Sequence, residues 1–163
     1  MEEFRKLVLE ANRKLRLADH MAYITYPMLK ETKLLLTVLD NLDKSLKASL
    51  NAYLHYERLY KRISPYPDDL KTKLEIFERG PAKRYNLQNY SKLIIEVNNI
   101  LKKHKESPMA FVKKDKLVIC NRDYRMKVLE IADAKNYLAK AKPFILMLSN
   151  ILKENDADTR RQR

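Results

Sequence analysis

The sequence predicts a mainly α protein: an antiparallel bundle of about five helices with a small β-hairpin or three-stranded meander near residues 110–128. Three observations lead there. Apolar residues recur at alternating steps of three and four through most of the chain, the spacing of one face of an α-helix. Breaks at Pro27, Pro65 to Pro67, Gly80-Pro81 and Pro108 divide that pattern into segments that must fold back on one another instead of extending as one coiled-coil rod. Between 110 and 128 the helical period gives way to β-branched runs punctuated by Asn and Asp. With 163 residues the chain suffices for one sizeable core, so a single helical domain is expected over 1–154. The polar tail, 155–163, ends Arg160-Arg161-Gln162-Arg163 and is expected to be disordered.

Phe4, Val8, Ala11, Leu15, Ala18, Ala22 and Thr25 form one stripe of a first helix over about 3–26, which Pro27 ends or kinks. A second series, Leu35, Leu39, Leu42, Leu46, Ser49, Tyr53, Tyr56, Tyr60 and Ile63, keeps the alternation for some thirty residues and defines the long axis of the fold. After Ser64-Pro65-Tyr66-Pro67, the pair Asp68-Asp69 suits the start of a shorter helix near 68–79, because a carboxylate caps free amides and matches the helix dipole. Gly80-Pro81 stops it. Leu87, Tyr90, Ile94, Val97, Leu101 and His104 mark a further helix with Asn86 as its cap and Ser107-Pro108 as its terminator. The hairpin region follows, its turns at Lys114-Asp115 and Asn121-Arg122-Asp123 lacking glycine. The last helix carries Ile131, Ala134, Leu138, Ala141, Ile145, Leu148 and Leu152, with Pro143 inside the pattern as a kink.

Composition removes several kinds of chemistry. A single Gly in the whole chain excludes Gly-rich phosphate loops and nucleophile elbows. His20, His55 and His104 lie far apart, and the one cysteine, Cys120, sits in the apolar run Leu117-Val118-Ile119-Cys120, so no metal-ligand spacing exists and neither metal nor cofactor is expected. No apolar run reaches membrane-spanning length, and the acidic start Met1-Glu2-Glu3-Phe4 is unlike a signal peptide. A cytoplasmic protein without membrane association is the expectation.

The charge points outward. Lys and Arg number 34 against 21 Asp and Glu, a net +13, which favours a polyanionic partner. Nearly half of that excess falls between 102 and 127, where Lys102, Lys103, Lys105, Lys113, Lys114, Lys116, Arg122, Arg125 and Lys127 face only Glu106, Asp115 and Asp123. With 124–128 as a strand, Arg125 and Lys127 share one face and Tyr124, Met126 and Val128 the other, so the pleat predicts a basic sheet surface beside an apolar one. The long second helix adds a stripe of Lys44, Lys47, Asn51, His55, Arg58 and Arg62 next to Tyr53, Tyr56 and Tyr60, rings and cations in the combination that single-stranded RNA recognition uses. A helix followed by a basic hairpin has the element order of a recognition helix and its wing, but Asn89, Lys92, Glu96 and Asn99 on that helix are not strongly basic, which ranks DNA below RNA.

On the first helix Arg13, Arg16 and His20 share a face about 160° from the core stripe, interspersed with Leu9, Leu17 and Ile24. A cationic Arg beside a His that titrates near neutrality can stabilise a phosphorane-like transition state and move a proton. Arg13 and His20, with six residues between them, here resemble the Arg–His motif of HEPN-type helical bundles. That resemblance covers one helix, and in the family the motif opens a later helix. It implies a metal-independent ribonuclease in which Arg13 and His20 form the catalytic pair of a homodimer.

The function expected from the residues is non-catalytic binding of RNA or a ribonucleoprotein through the 102–127 segment and the His55, Arg58, Arg62 side of the second helix. The alternatives are a protein-interaction or scaffold subunit, dimerising through the first helix or the long heptad helix, and the HEPN-type ribonuclease.

Overall fold

The computed structural model describes residues 1–107, 109–120, 123 and 125–162. It is a mainly α bundle with a small three-stranded antiparallel sheet, and no helix among the described residues is long and apolar enough to cross a membrane.

Helix α1, Glu2–His20, buries Phe4, Val8, Ala11 and Ala18 along the predicted stripe. Pro27 does not end the rod. A π-helical segment, Met21–Thr25, intervenes, and a further turn, α2, runs from Tyr26 to Leu29 with Pro27 in its first turn. The wider turn lets the amide of Tyr26 reach back five residues to Met21, so the helix continues past the hydrogen bond that proline cannot make. Lys30, at φ 51°, then ends it.

Helix α3, Leu34–Leu59, is the axis, buried on most of its circumference through Leu35, Val38, Leu42, Leu46, Leu50, Tyr53 and Leu54. Its stripe is consumed inside the molecule by α1 and by the later helices. From Leu35 to Tyr53 that stripe is spent within the chain, while Tyr60 near its C-terminal end stays 48% exposed. Ser45 ties α3 to α1, its hydroxyl donating to the carbonyl of Ala11 at 2.6 Å. The helix stops four residues before the predicted Ile63 because Lys61 turns left-handed, φ 56°. The amide of Arg62 then bonds Glu57 O at 3.0 Å and that of Lys61 bonds Arg58 O at 2.9 Å, the two bonds of a Schellman C-terminus.

Helix α4, Leu70–Arg79, starts as predicted: Asp69 accepts from the Thr72 amide at 3.0 Å and the Thr72 hydroxyl at 2.7 Å. Gly80 interrupts the chain, yet Pro81, with φ preset for the first helical position, restarts it as one short turn, α5, Pro81–Arg84. Helix α6, Gln88–Glu106, lacks the expected side-chain cap; Asn86 sits instead at φ 55°. Strands β1, Met109–Lys113, β2, Lys116–Cys120, and β3, Met126–Leu129, pair in the order β1-β2-β3. The two-residue turn Lys114-Asp115 carries Lys114 at φ 55°.

Helix α7, Ile131–Arg161, opens with a capping box between Glu130 and Asp133 and keeps Pro143 inside it. It does not stop near 154. The tail expected to be disordered continues the helix, because nothing after Pro143 breaks it and its polar groups are engaged: Asn155 donates to Ile151 O, Thr159 to Asn155 O, and Asp156 pairs with Arg5 of α1. Tyr53, Phe77, Tyr90 and Phe144 meet as an aromatic knot joining α3, α4, α6 and α7, with Tyr53 edge-on to Phe77 at 6.0 Å and to Phe144 at 6.4 Å.

Candidate nucleic-acid interface

The pleat assigns the sheet two faces. On one, Leu117, Ile119 and Leu129 belong to the contiguous core. Lys127 is in register with Ile119 and so shares that inner side at the edge strand, its side chain reaching solvent. On the other face the rows are Phe111–Val118–Val128, Cys120–Met126 and Lys113–Lys116. The expected basic surface is therefore inverted: the apolar side is the one turned outward, because the helices need Leu117, Ile119 and Leu129. Phe111 is 45% exposed, Val128 43% and Met126 67%. Val118 between them is buried but lies outside the contiguous core, shielded within its own cross-strand row.

Cations surround this platform. Lys113, Lys114, Lys116, Arg125 and Lys127 are exposed, as are Lys102, Lys103 and Lys105 in the last turns of α6. Lys116 is held at 3.0 Å from Glu130; the other lysines named here form no ion pair with a described residue. The α6 lysines also complement the helix dipole at its negative end. Arg122 and Tyr124 lie outside the described residues.

The stripe on α3 is dismantled by its surroundings. Lys44 pairs with Asp40 at 2.8 Å, and Lys47 with Asp43 at 2.8 Å and with Asn98 Oδ1 at 2.9 Å. Burial pushes the Asp43 carboxyl above the ordinary carboxylate range despite Lys47. His55 is half-buried in a dimple with Leu7, Asn51 and Tyr66, and burial, then the N-terminal ammonium and Arg58, hold its pKa below the usual histidine value. It adds no positive charge at neutral pH. Tyr53 is fully buried and its hydroxyl donates to Pro81 O at 2.8 Å, while Tyr56 packs on Phe4 at 5.2 Å and on Tyr60 at 4.8 Å. Of the three, Tyr60 is the exposed one, at 48%.

Arg62 instead enters a cluster that spacing does not reveal. Glu57 is fully buried; its Oε1 accepts a hydrogen bond from Arg62 at 3.0 Å, and its Oε2, which accepts no hydrogen bond from a described residue, lies 3.2 Å from the Arg84 guanidinium as an ion pair. Arg84 comes from α5, 27 positions along the chain. The one available signal was an acidic residue set among Tyr53, Tyr56 and Tyr60 on a buried helix. Arg62 lies over the Tyr60 ring at 5.1 Å, and Tyr85 stands edge-on to Tyr53 at 6.1 Å.

On α1, Arg13 and His20 are both exposed. Arg13 and Arg16 line a groove of about 630 Å³ between α1 and α7, with Leu9, Leu17 and Leu146 on its walls; His20 is not part of it. The chain matches no protein-family model, no curated protein and no solved structure, so geometry alone carries the functional argument.

Proposed function

We propose that the outer face of the sheet binds single-stranded RNA without chemistry. The observation carrying this reading is an exposed row of Phe111 and Val128 with Lys113 and Lys116 in the next row and Lys114 at the turn. Such a surface offers what an unpaired strand needs and a duplex does not: an apolar, aromatic floor for a base and amines for the flanking phosphates. If about six phosphates are neutralised, affinity for a single strand falls with salt at a log–log slope of roughly −4. Fluorescence anisotropy on a mixed-sequence RNA tests it. Phe111→Ala lowers affinity about tenfold at unchanged slope, whereas Lys113→Glu with Lys114→Glu flattens the slope; salt-independent binding, or indifference to both variants, refutes the reading.

A second reading, a protein-interaction subunit, is favoured by the exposed Leu9, Leu17 and Leu146 beside Arg13 and Arg16. Sedimentation at rising concentration checks it, with a strict monomer counting against self-association. The ribonuclease of the HEPN resemblance requires such a dimer and predicts that His20→Ala abolishes RNA cleavage by the purified protein.

A further inference from the structure

The Glu57 cluster lies away from the sheet and is built differently from the ion pairs elsewhere on the surface. A Schellman turn fixes Arg62 directly over Glu57 by backbone geometry, and α5 brings Arg84 to the opposite carboxylate oxygen. Each guanidinium carries five N–H donors and gives the carboxylate one nitrogen contact. Their side chains remain 33% and 43% exposed, so donors are left over on the solvent side. One buried negative charge against two positive ones leaves the cluster cationic, and Arg58, Lys61 and Lys83, all exposed and close in sequence, add to it. The arginines are thus preorganised, their conformational freedom already restricted by Glu57, and a planar fork of this kind matches phosphate oxygens better than an amine does. Tyr60 and Tyr85, 48% and 44% exposed, are the residues that directly follow α3 and α5 at the cluster. Tyr85 follows Arg84 directly in the chain and stands edge-on to Tyr53 at 6.1 Å.

We infer that Arg62 and Arg84 form a phosphate fork and Tyr60 and Tyr85 its ring-stacking walls, a site for a nucleoside 5′-monophosphate, either free or as the 5′ end of an RNA. Glu57 is the positioning residue. The site does not depend on the sheet, and its first test uses the mononucleotide alone.

Titration of the intact protein with AMP, adenosine and inorganic phosphate, followed by calorimetry and by the tyrosine ring signals in NMR, is the experiment. AMP binds at least about tenfold more tightly than either fragment, and Arg62→Lys or Arg84→Lys, which keep the charge but lose the fork, each weaken it about tenfold. Both substitutions are at exposed positions, and an unchanged thermal midpoint confirms the fold. Adenosine or phosphate binding as well as AMP, no AMP binding at ~10 mM, or indifference to both lysine variants overturns the assignment. The source of the ligand is read from 5′-monophosphorylated and 5′-hydroxyl oligonucleotides of one sequence. A preference lost in Arg84→Lys identifies an RNA end, and equal affinity with AMP binding intact identifies a free nucleotide. Phe111→Ala lowers the affinity of both oligonucleotides and leaves their ratio unchanged, which separates failure of the sheet reading from failure of this one.

Discussion

The Glu57 cluster makes an asymmetric stability prediction. Glu57 is fully buried and held by Arg62 at 3.0 Å and Arg84 at 3.2 Å, whereas the two arginines are 33% and 43% exposed. Removing both arginines therefore leaves a carboxylate with no compensating charge in a dry site, at a cost of about 3–5 kcal/mol. Removing the carboxylate charge by Glu57→Gln lets the guanidinium groups turn to water, and the residual cost is that of a poorly satisfied buried amide, about 1–2 kcal/mol. The triple variant, Gln at 57 with Ala at 62 and 84, should recover much of the loss of the double arginine variant. Urea unfolding followed by far-ultraviolet circular dichroism reads all three, with equal m-values required before the free energies are compared. A double arginine variant no less stable than Glu57→Gln, or a triple variant no better than the double, refutes the claim that the arginines serve a buried charge.

Three further outcomes follow from the same geometry. Leu129→Ala, in the core at 0% exposure, costs about 2–5 kcal/mol, while Phe111→Ala on the outer face changes stability by only about 0.5 kcal/mol; a reversal in chemical denaturation means the sheet is turned the other way. Lys61→Gly, at φ 56° in the Schellman turn, raises the urea midpoint, with a gain of about 1 kcal/mol for relieving a left-handed non-glycine residue; a lowered midpoint contradicts it. Burial, then the N-terminal ammonium and Arg58, depress His55 in the folded state, so its contribution to stability is full above its unfolded pKa of about 6.5 and is lost as pH falls through the folded value. The ring signals of His55 should titrate below about 6.5, and His55→Gln should flatten the stability profile as pH falls below about 6.5; a midpoint above about 6.5 rules this out.

The elements were legible because local rules decide them. The stripe from Phe4 to Ala22, the Asp69 cap and the strands around Lys114-Asp115 each follow from spacing, capping or turn chemistry within a few residues. Where the sequence misled, a longer-range effect prevailed. Pro27 is absorbed by a π turn upstream, and the tail beyond 154 stays helical partly because Asp156 meets Arg5 across the whole chain length. Period two separates Met126 and Val128 from Lys127, but it does not say which set the helices will cover; that is decided by α6 packing against β2 and drawing Leu117, Ile119 and Leu129 into the common core.

The same distinction governs the charge. On α3, Lys44 and Lys47 each have an acid at the residue four earlier, Asp40 and Asp43, and both pairs form, so the N-terminal half of a stripe that looks cationic by counting bases is nearly neutral as a surface. Between Lys102 and Lys127 three acids face nine bases, and among the ion pairs of the described residues Glu130 reaches Lys116. On the proposed reading, net charge serves binding where the fold also presents something besides charge, and the exposed Phe111–Val128 row is that second element. At Glu57 the fold does the opposite: it supplies one carboxylate to two arginines. That carboxylate fixes them in place while leaving the cluster cationic, so an ion pair that would be neutral if it were one to one becomes an anion-binding fork.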